Sequence, residues 1–225
     1  MKDRDLFELL AMPHFEWPAD EYPTIDAAKQ FDPNDPLPLL KLLESSDLTV
    51  NARGLSVFEY LGRKGAVVLD QALRLNKHPW DRARNALMDG VICYSKSLNA
   101  DQAVAVLQLI DDPFSLVREK VICFLAHADP TSLETAVNSL DESLQSEHRK
   151  GLDVLYAEHV DTQRLFDKAA TKKDIWSAYA FASLERMARI GALTGAPEYS
   201  GNEYVPNGVI AHAKMHIAHR NRSRQ

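Results

Sequence analysis

Cysteine is nearly absent from this sequence: of 225 residues only Cys93 and Cys123 carry thiols. Two such residues have neither the spacing of a zinc site nor the density of a disulfide scaffold, and they suit a reducing compartment. Long apolar runs are missing too, since no stretch approaches the roughly 18 residues a membrane helix needs. The opening MKDRDLFELL is too charged and amphipathic for a signal peptide, so a cytoplasmic protein without a membrane partner is expected. There is no GxSxG elbow, no P-loop, no GxGxxG opening a helix after a strand and no paired-cysteine motif, which excludes the enzyme classes that depend on them. Period-two alternation bounded by tight-turn dipeptides does not occur in the central region, so β architecture is not expected either.

What is present is a globular composition, 45% hydrophobic and 26% charged, with a net charge of −6. The charge is uneven. Residues 1–36 hold nine acids and three bases, whereas Lys214, Arg220, Arg222 and Arg224 close the chain without an acid after position 206. Nucleic-acid binding needs a broad basic surface to displace counterions from phosphate, and a pI near 5.7 makes such a partner unexpected.

The informative feature is a repeat. Apolar or small residues at offsets 0, 4, 8 and 11 from Val50 line one helical face, and the pattern returns from Ala83 and from Val117, after steps of 33 and 34 residues. Weaker copies start at His148 and Tyr179, after steps of 31 each. A second apolar segment precedes each anchor: Leu37 to Leu43, Ala66 to Leu75, Ala103 to Ile110, Leu133 to Leu144 and Leu165 to Ala170. Breakers and caps lie between the two, including Ser45-Ser46-Asp47, His78-Pro79-Trp80-Asp81, Asp111-Asp112-Pro113 and Asp174. Each unit therefore reads as two helices, and the chain as all-α.

The turn Asp112-Pro113 leading into Val117-Arg118, with its counterparts at Val50 and Ala83-Arg84, resembles the second-helix signature of HEAT repeats. The short spacing resembles the compact HEAT-like repeats of the phycobilin-lyase type. The resemblance covers residues 37–191, is good in three units and weakens in the last two, where His148-Arg149 and Tyr179-Ala180 stand in for Val-Arg. It implies a right-handed α-solenoid, or superhelix, of about five HEAT-like helical pairs. Residues 1–36 would form an acidic N-terminal capping segment. Residues 192–225 would form a loop and a C-terminal capping helix with a basic tail. One helical pair cannot bury its apolar faces alone, so stacking of neighbours is the expected stabilising event.

Several constellations compete for attention. Asn51, Arg84, Arg118 and Arg149 share one offset and should form a row near Asp47, Asp81 and Asp112. An Asp and Arg ladder tying turns together is the expected role. Cys123 and His127 share a helical face but are too few for a metal, and a buried thiol beside a bonded histidine is the simpler reading. His212, His216 and His219 share a face as well, yet the segment lacks the glutamate of a zinc hydrolase. No metal site and no cofactor are expected. Trp80 and Trp176 fall near the starts of second helices, which in HEAT-like arrays line the concave face. Around Trp80, the residues Asp81, Arg82, Asn85 and Asp89 can form a polar rim. Glu59 and Tyr60 in the first unit, with Tyr156, Glu158 and His159 in the fourth, can extend that surface.

The expected function is a non-enzymatic module that binds a protein or peptide through the concave face. A narrower version is an inhibitor or immunity protein whose acidity selects a basic partner such as a toxin. Two enzymatic alternatives stand beside it through the resemblance. A HEAT-like alkylpurine DNA glycosylase would use a tryptophan beside Asp81, Asp89 or Asp174, although a 37–191 core at −2 offers little to phosphate. A bilin lyase-like enzyme would need a chromophore-sized apolar cleft.

Overall fold

The structure, a computed structural model, describes residues 6–12, 22–157, 161–171 and 174–190. Among them the chain is helical without a strand, and it divides after Tyr94 into two compact units. The first contains α1 (Leu6–Leu10), α2 (Pro23–Gln30), α3 (Leu37–Leu43), α4 (Leu48–Glu59), a 3-10 segment (Gly62–Val68), α5 (Leu69–Leu73) and α6 (Asp81–Ile92). The second contains α7 (Ala100–Leu107), α8 (Ser115–His127), α9 (Pro130–Asn138), α10 (Glu142–Leu155), α11 (Thr162–Thr171) and α12 (Ile175–Ile190). The helices expected from the sequence are present, with two local differences. The expected helix over Ala66 to Leu75 is shared between the 3-10 segment and the short α5. The expected run from Leu133 to Leu144 breaks at Ser139 to Asp141, so Leu144 belongs to α10.

In the first unit α4 is the hub, packed by α1, α2, α3 and α6. Glycines set the spacing. A Cβ on Gly90 of α6 would lie 2.4 Å from the buried Phe58 ring, and one on Gly54 would lie 3.0 Å from Leu42. The two backbones therefore approach as closely as only a missing side chain permits. Tyr94 stacks on Phe58 with centroids 6.5 Å apart and hydrogen-bonds the Gly62 carbonyl. Gly62 has φ of +53°, the left-handed conformation that ends the α4 turn.

In the second unit α12 packs against α8, α10 and α11. A strictly sequential stack would give it α10 as its only preceding second-helix neighbour, so its additional seat on α8 departs from that order. The sequence IWSAYAFASLERMARI suits the place, because Ala178, Ala180, Ala182, Ser177 and Ser183 are small on every side. Twelve of its sixteen residues are buried, Glu185 among them. Gly151 on α10 lets the Tyr179 ring lie where a Cβ would come within 2.3 Å.

The first three second-helices begin with one recurring hydrogen-bond pattern. The side chains of Ser45, His78 and Asp112 accept from the backbone N–H two residues on, at 3.1, 3.0 and 2.8 Å. Their own carbonyls accept from the side chain six residues on: Asn51 at 3.2 Å, Arg84 at 2.6 Å and Arg118 at 2.6 Å. Arg84 and Arg118 also reach the following proline carbonyls at 3.2 and 3.0 Å. Asn51, Arg84 and Arg118 thus hold equivalent places at the heads of their helices, and the hydrogen bonds described here run to local loop carbonyls. Arg149 leaves the pattern. It bonds Asn138 Oδ1 and Gln145 Oε1, while Gln145 reaches the carbonyls of Asn138 and Leu140. The reason is register: α4, α6 and α8 start two residues before their anchors, whereas α10 starts six before His148, so no loop lies at the matching distance.

Candidate protein-binding surface

Helices α4 and α6 pack side by side in the first unit and, with the flanking residues Tyr60 and Trp80, carry seven of the residues expected to bind a partner. At the tail of the pair, Glu59, Tyr60, Asn85 and Asp89 come together. Tyr60 is 51% exposed. Its hydroxyl donates to Glu59, and its phenol is held above the ordinary range first by the Glu59 charge, then by partial burial and by Asp89. Asn85 Nδ2 donates to Asp89 Oδ2 at 3.2 Å, leaving Asn85 Oδ1 buried without a hydrogen-bond partner. The α4 terminus adds the negative end of its dipole to the two carboxylates. An aromatic face inside a negative field is suited to a cationic side chain.

At the head of α6, Trp80 is the N-cap residue and is 44% exposed, with Asp81 and Arg82 exposed beside it. Asp81 Oδ1 accepts from the Arg82 N–H at 2.6 Å. Nine residues separate Trp80 from Asp89, roughly 13 Å along the helix, so the expected rim forms two clusters on one helix rather than a single ring. Leu48, 44% exposed, belongs to the Trp80 end, because its carbonyl meets His78 Nε2 at 3.2 Å and the His78 ring packs edge-on to Trp80 at 5.4 Å.

The residues chosen from the second unit have different surroundings. Trp176 is half-buried under Lys168, whose Nζ lies 4.6 Å from the ring centroid. Tyr156 is half-buried beneath the Arg186 guanidinium at 5.1 Å. Its hydroxyl is buried without a hydrogen-bond partner, and burial pushes the phenol up to about 12. Glu158 and His159 lie outside the described residues, as do His212, His216 and His219.

Cys123 and His127 are occupied locally. The thiol donates to Glu185 Oε2 at 3.5 Å, and His127 Nδ1 donates to the Cys123 carbonyl at 2.7 Å. Burial, followed by the Glu185 charge, raises the thiol well above its ordinary value, which is the opposite of a reactive cysteine. Among the described residues no cluster of three His, Cys, Asp or Glu side chains could hold a metal, and no helix is long and apolar enough to cross a membrane. In the sequence His78 reads as part of a breaker or cap before a second helix, and His148 as the anchor of a weaker copy of the repeat. The structure makes both of them buried hydrogen-bonding centres, and the only advance signal was that His78 stands where the other units have Ser45 and Asp112.

No family model, curated protein or solved structure matches this chain.

Proposed function

We propose that this chain is a non-enzymatic, cytoplasmic protein-binding module built on short HEAT-like helical pairs, and that it acts as an inhibitor or immunity protein toward a basic partner such as a toxin. The observation that carries the reading is the α4–α6 pair, which shows solvent two large aromatics, Tyr60 and Trp80, in company with Glu59, Asp81 and Asp89. Exposed aromatics with a polar rim are the usual anchors of protein interfaces. The net charge of −6 adds long-range attraction for a basic protein. An exposed free thiol at Cys93 suits a reducing cytoplasm. The five-pair solenoid is part of this proposal, and the hydrogen-bond pattern shared by the heads of α4, α6 and α8 supports it in the first three pairs.

The test places a photocrosslinking residue at position 60, at position 80, or at the exposed Lys150 as a control, in cells of the native host. One protein captured from positions 60 and 80 and absent from 150 is the expected result. That protein, purified, should bind the wild-type chain with an affinity that falls as salt rises and drops at least tenfold in Tyr60→Ala/Trp80→Ala. Unchanged affinity in that double variant overturns the reading.

A further inference from the structure

Two of the second helices end in the same residue. Tyr60 is the C-cap of α4 and Tyr156 the C-cap of α10. Each of these helices packs against the next second helix, α4 against α6 and α10 against α12. In the second unit α12 sends a cation to the tyrosine. The Arg186 guanidinium lies over the Tyr156 ring at 5.1 Å, and its Nη1 donates to the carbonyl of the preceding residue, Leu155, at 3.2 Å. The group thus makes two kinds of contact at once, charge against the ring face and an N–H against an acceptor beside the ring.

In the first unit α6 sends an acid instead. Asp89 lies close enough for its charge to act on the Tyr60 phenol, and the residue before the ring, Glu59, brings a second carboxylate. Tyr60 is 51% exposed, and among the described residues no cation lies over it. Arg63 and Lys64 follow in the 3-10 segment, yet the charges that act on the phenol are those of Glu59 and Asp89. The other bases of the two helices are placed elsewhere. Arg53 donates to the carbonyls of Leu10 and Met12, and Arg84 to those of His78 and Pro79. Arg82 stands at the head of α6, roughly 10 Å along the helix from Asp89. Both acids are oriented: Glu59 accepts from the Tyr60 hydroxyl, and Asp89 Oδ2 accepts from Asn85 Nδ2 at 3.2 Å. An ionised carboxylate has about four acceptor positions, so one such bond exhausts neither group. The first unit therefore presents the ring and the acceptors of the contact at Tyr156, with the negative end of the α4 dipole beside them, and leaves the cation to come from outside.

We propose that Tyr60, Glu59 and Asp89 form a seat for an arginine of the protein partner, whose guanidinium stacks on the Tyr60 ring and donates to the two carboxylates. Arginine is assigned over lysine because a planar fork can lie on a ring while its N–H groups reach acceptors on two helices, whereas an ammonium is a compact, strongly hydrated point charge. The assignment rests on the partner being a basic protein, as argued above.

The seat is tested on the free, full-length protein by nuclear magnetic resonance, with N-acetyl-arginine amide as the probe at fixed ionic strength. The probe should shift the Tyr60 ring resonances saturably and at least threefold more tightly than N-acetyl-lysine amide, while the neutral isostere N-acetyl-citrulline amide should leave them in place. Glu59→Gln/Asp89→Asn should weaken the probe at least fivefold, and Tyr60→Phe, which keeps the ring face, should hold it better than Tyr60→Ala. Asp89→Arg supplies the cation from α6, as α12 does at Tyr156, and should exclude the probe, which keeps the test decisive if the double variant unfolds. A Tyr60 ring that shows no saturable shift, or equal shifts from arginine and citrulline, overturns the seat. Equal binding of lysine overturns the choice of arginine. The crosslinked partner supplies the second arm: glutamine in place of one arginine of the segment captured at position 60 should weaken binding at least tenfold to wild type and no further to Tyr60→Ala. If the probe seats but no partner arginine behaves so, the proposal fails while the protein-binding reading survives. If partner affinity is unchanged in Tyr60→Ala/Trp80→Ala, that reading falls, while the seat for a guanidinium stands on the probe.

Discussion

In the first unit the second helices begin or end in exposed rings, Trp80 at 44% and Tyr60 at 51%, whereas in the second unit α12 buries Tyr179 completely and roofs Trp176 with Lys168. The residue types are the same, and the difference lies in where each ring sits: Tyr60 and Trp80 flank helix ends, whereas Tyr179 lies inside a helix packed on several sides. The helix α6 keeps one end open to solvent beside α4. The helix α12 is packed by α8, α10 and α11, so nearly every side chain it carries becomes part of the core. An aromatic at a helix start or end is therefore exposed or part of the core according to its packing, and offset alone does not decide between them.

The largest test of that contrast removes one tyrosine from each region. Tyr179→Ala should cost about 4 kcal/mol, because it empties a fully buried site and strips His148 of its partner. Tyr60→Ala should change stability by less than about 0.5 kcal/mol while damaging partner binding. Urea unfolding of both variants measures the difference, and comparable losses would erase the distinction between the two regions.

Next in size is a pH effect confined to the second unit. His148 is 2% exposed, its Nδ1 lies 2.8 Å from the Tyr179 hydroxyl, and burial pushes its pKa down to about 4. The unfolded chain binds that proton near the ordinary 6.5 and the folded chain only near 4, so the stabilisation is complete above about pH 6.5 and disappears as pH falls toward 4. About 3 kcal/mol is at stake across that window. His148→Gln, which retains a hydrogen-bonding group for Tyr179, should flatten this part of the stability curve. A slope that survives the substitution would assign the pH dependence to other groups.

How far the sequence alone foretold these features follows the same division. The succession of helices and the buried anchors Val50, Ala83 and Val117 were legible, because amphipathic spacing and caps are local signals. The shared position of Asn51, Arg84 and Arg118 was legible as well, although their carbonyl acceptors were not. The seat of α12 beside α8 was hidden, since nothing in IWSAYAFASLERMARI states which neighbours surround a helix that is small on every side. For the candidate surface, Glu59 and Asp89 come from separate helices, and the charges of both raise the Tyr60 phenol. Trp80 was legible as an aromatic at a helix start, but the His78 ring against it was not, since His-Pro-Trp reads locally as a turn.

A smaller contrast concerns the arginine row. Arg84 is buried and donates to two carbonyls, so Arg84→Met should cost about 2 kcal/mol. Arg149 is exposed, bonds only neutral side-chain oxygens among the contacts described here, and should lose less than about 0.5 kcal/mol on the same change. Thermal unfolding of the two variants would show whether the repeated head pattern contributes to stability where it is kept and is dispensable where it is lost. Equal costs would mean that position in the repeat matters more than the acceptor.

The smallest effect bears most directly on the surface. The Tyr60 phenol is raised chiefly by Glu59, then by partial burial, then by Asp89, so it reports the negative potential that a basic partner would meet. Glu59→Gln should lower its titration midpoint most, removing the charge and leaving only a neutral amide oxygen to accept from its hydroxyl. Asp89→Asn should lower it by less, because it removes only the more distant charge. Tyr94 and Tyr156 ionise near 12 and Tyr179 is raised further, all three mainly by burial, so these buried phenols stay silent while Tyr60 titrates. Ring-selective magnetic resonance can follow Tyr60 through its own titration. If the order of the two variants is reversed, Asp89 is the dominant charge at the phenol, and a cationic side chain would be drawn to α6 rather than to the end of α4. If neither variant moves the midpoint, the carboxylates do not shape the potential at Tyr60, and the electrostatic part of partner selection must be carried elsewhere on the chain.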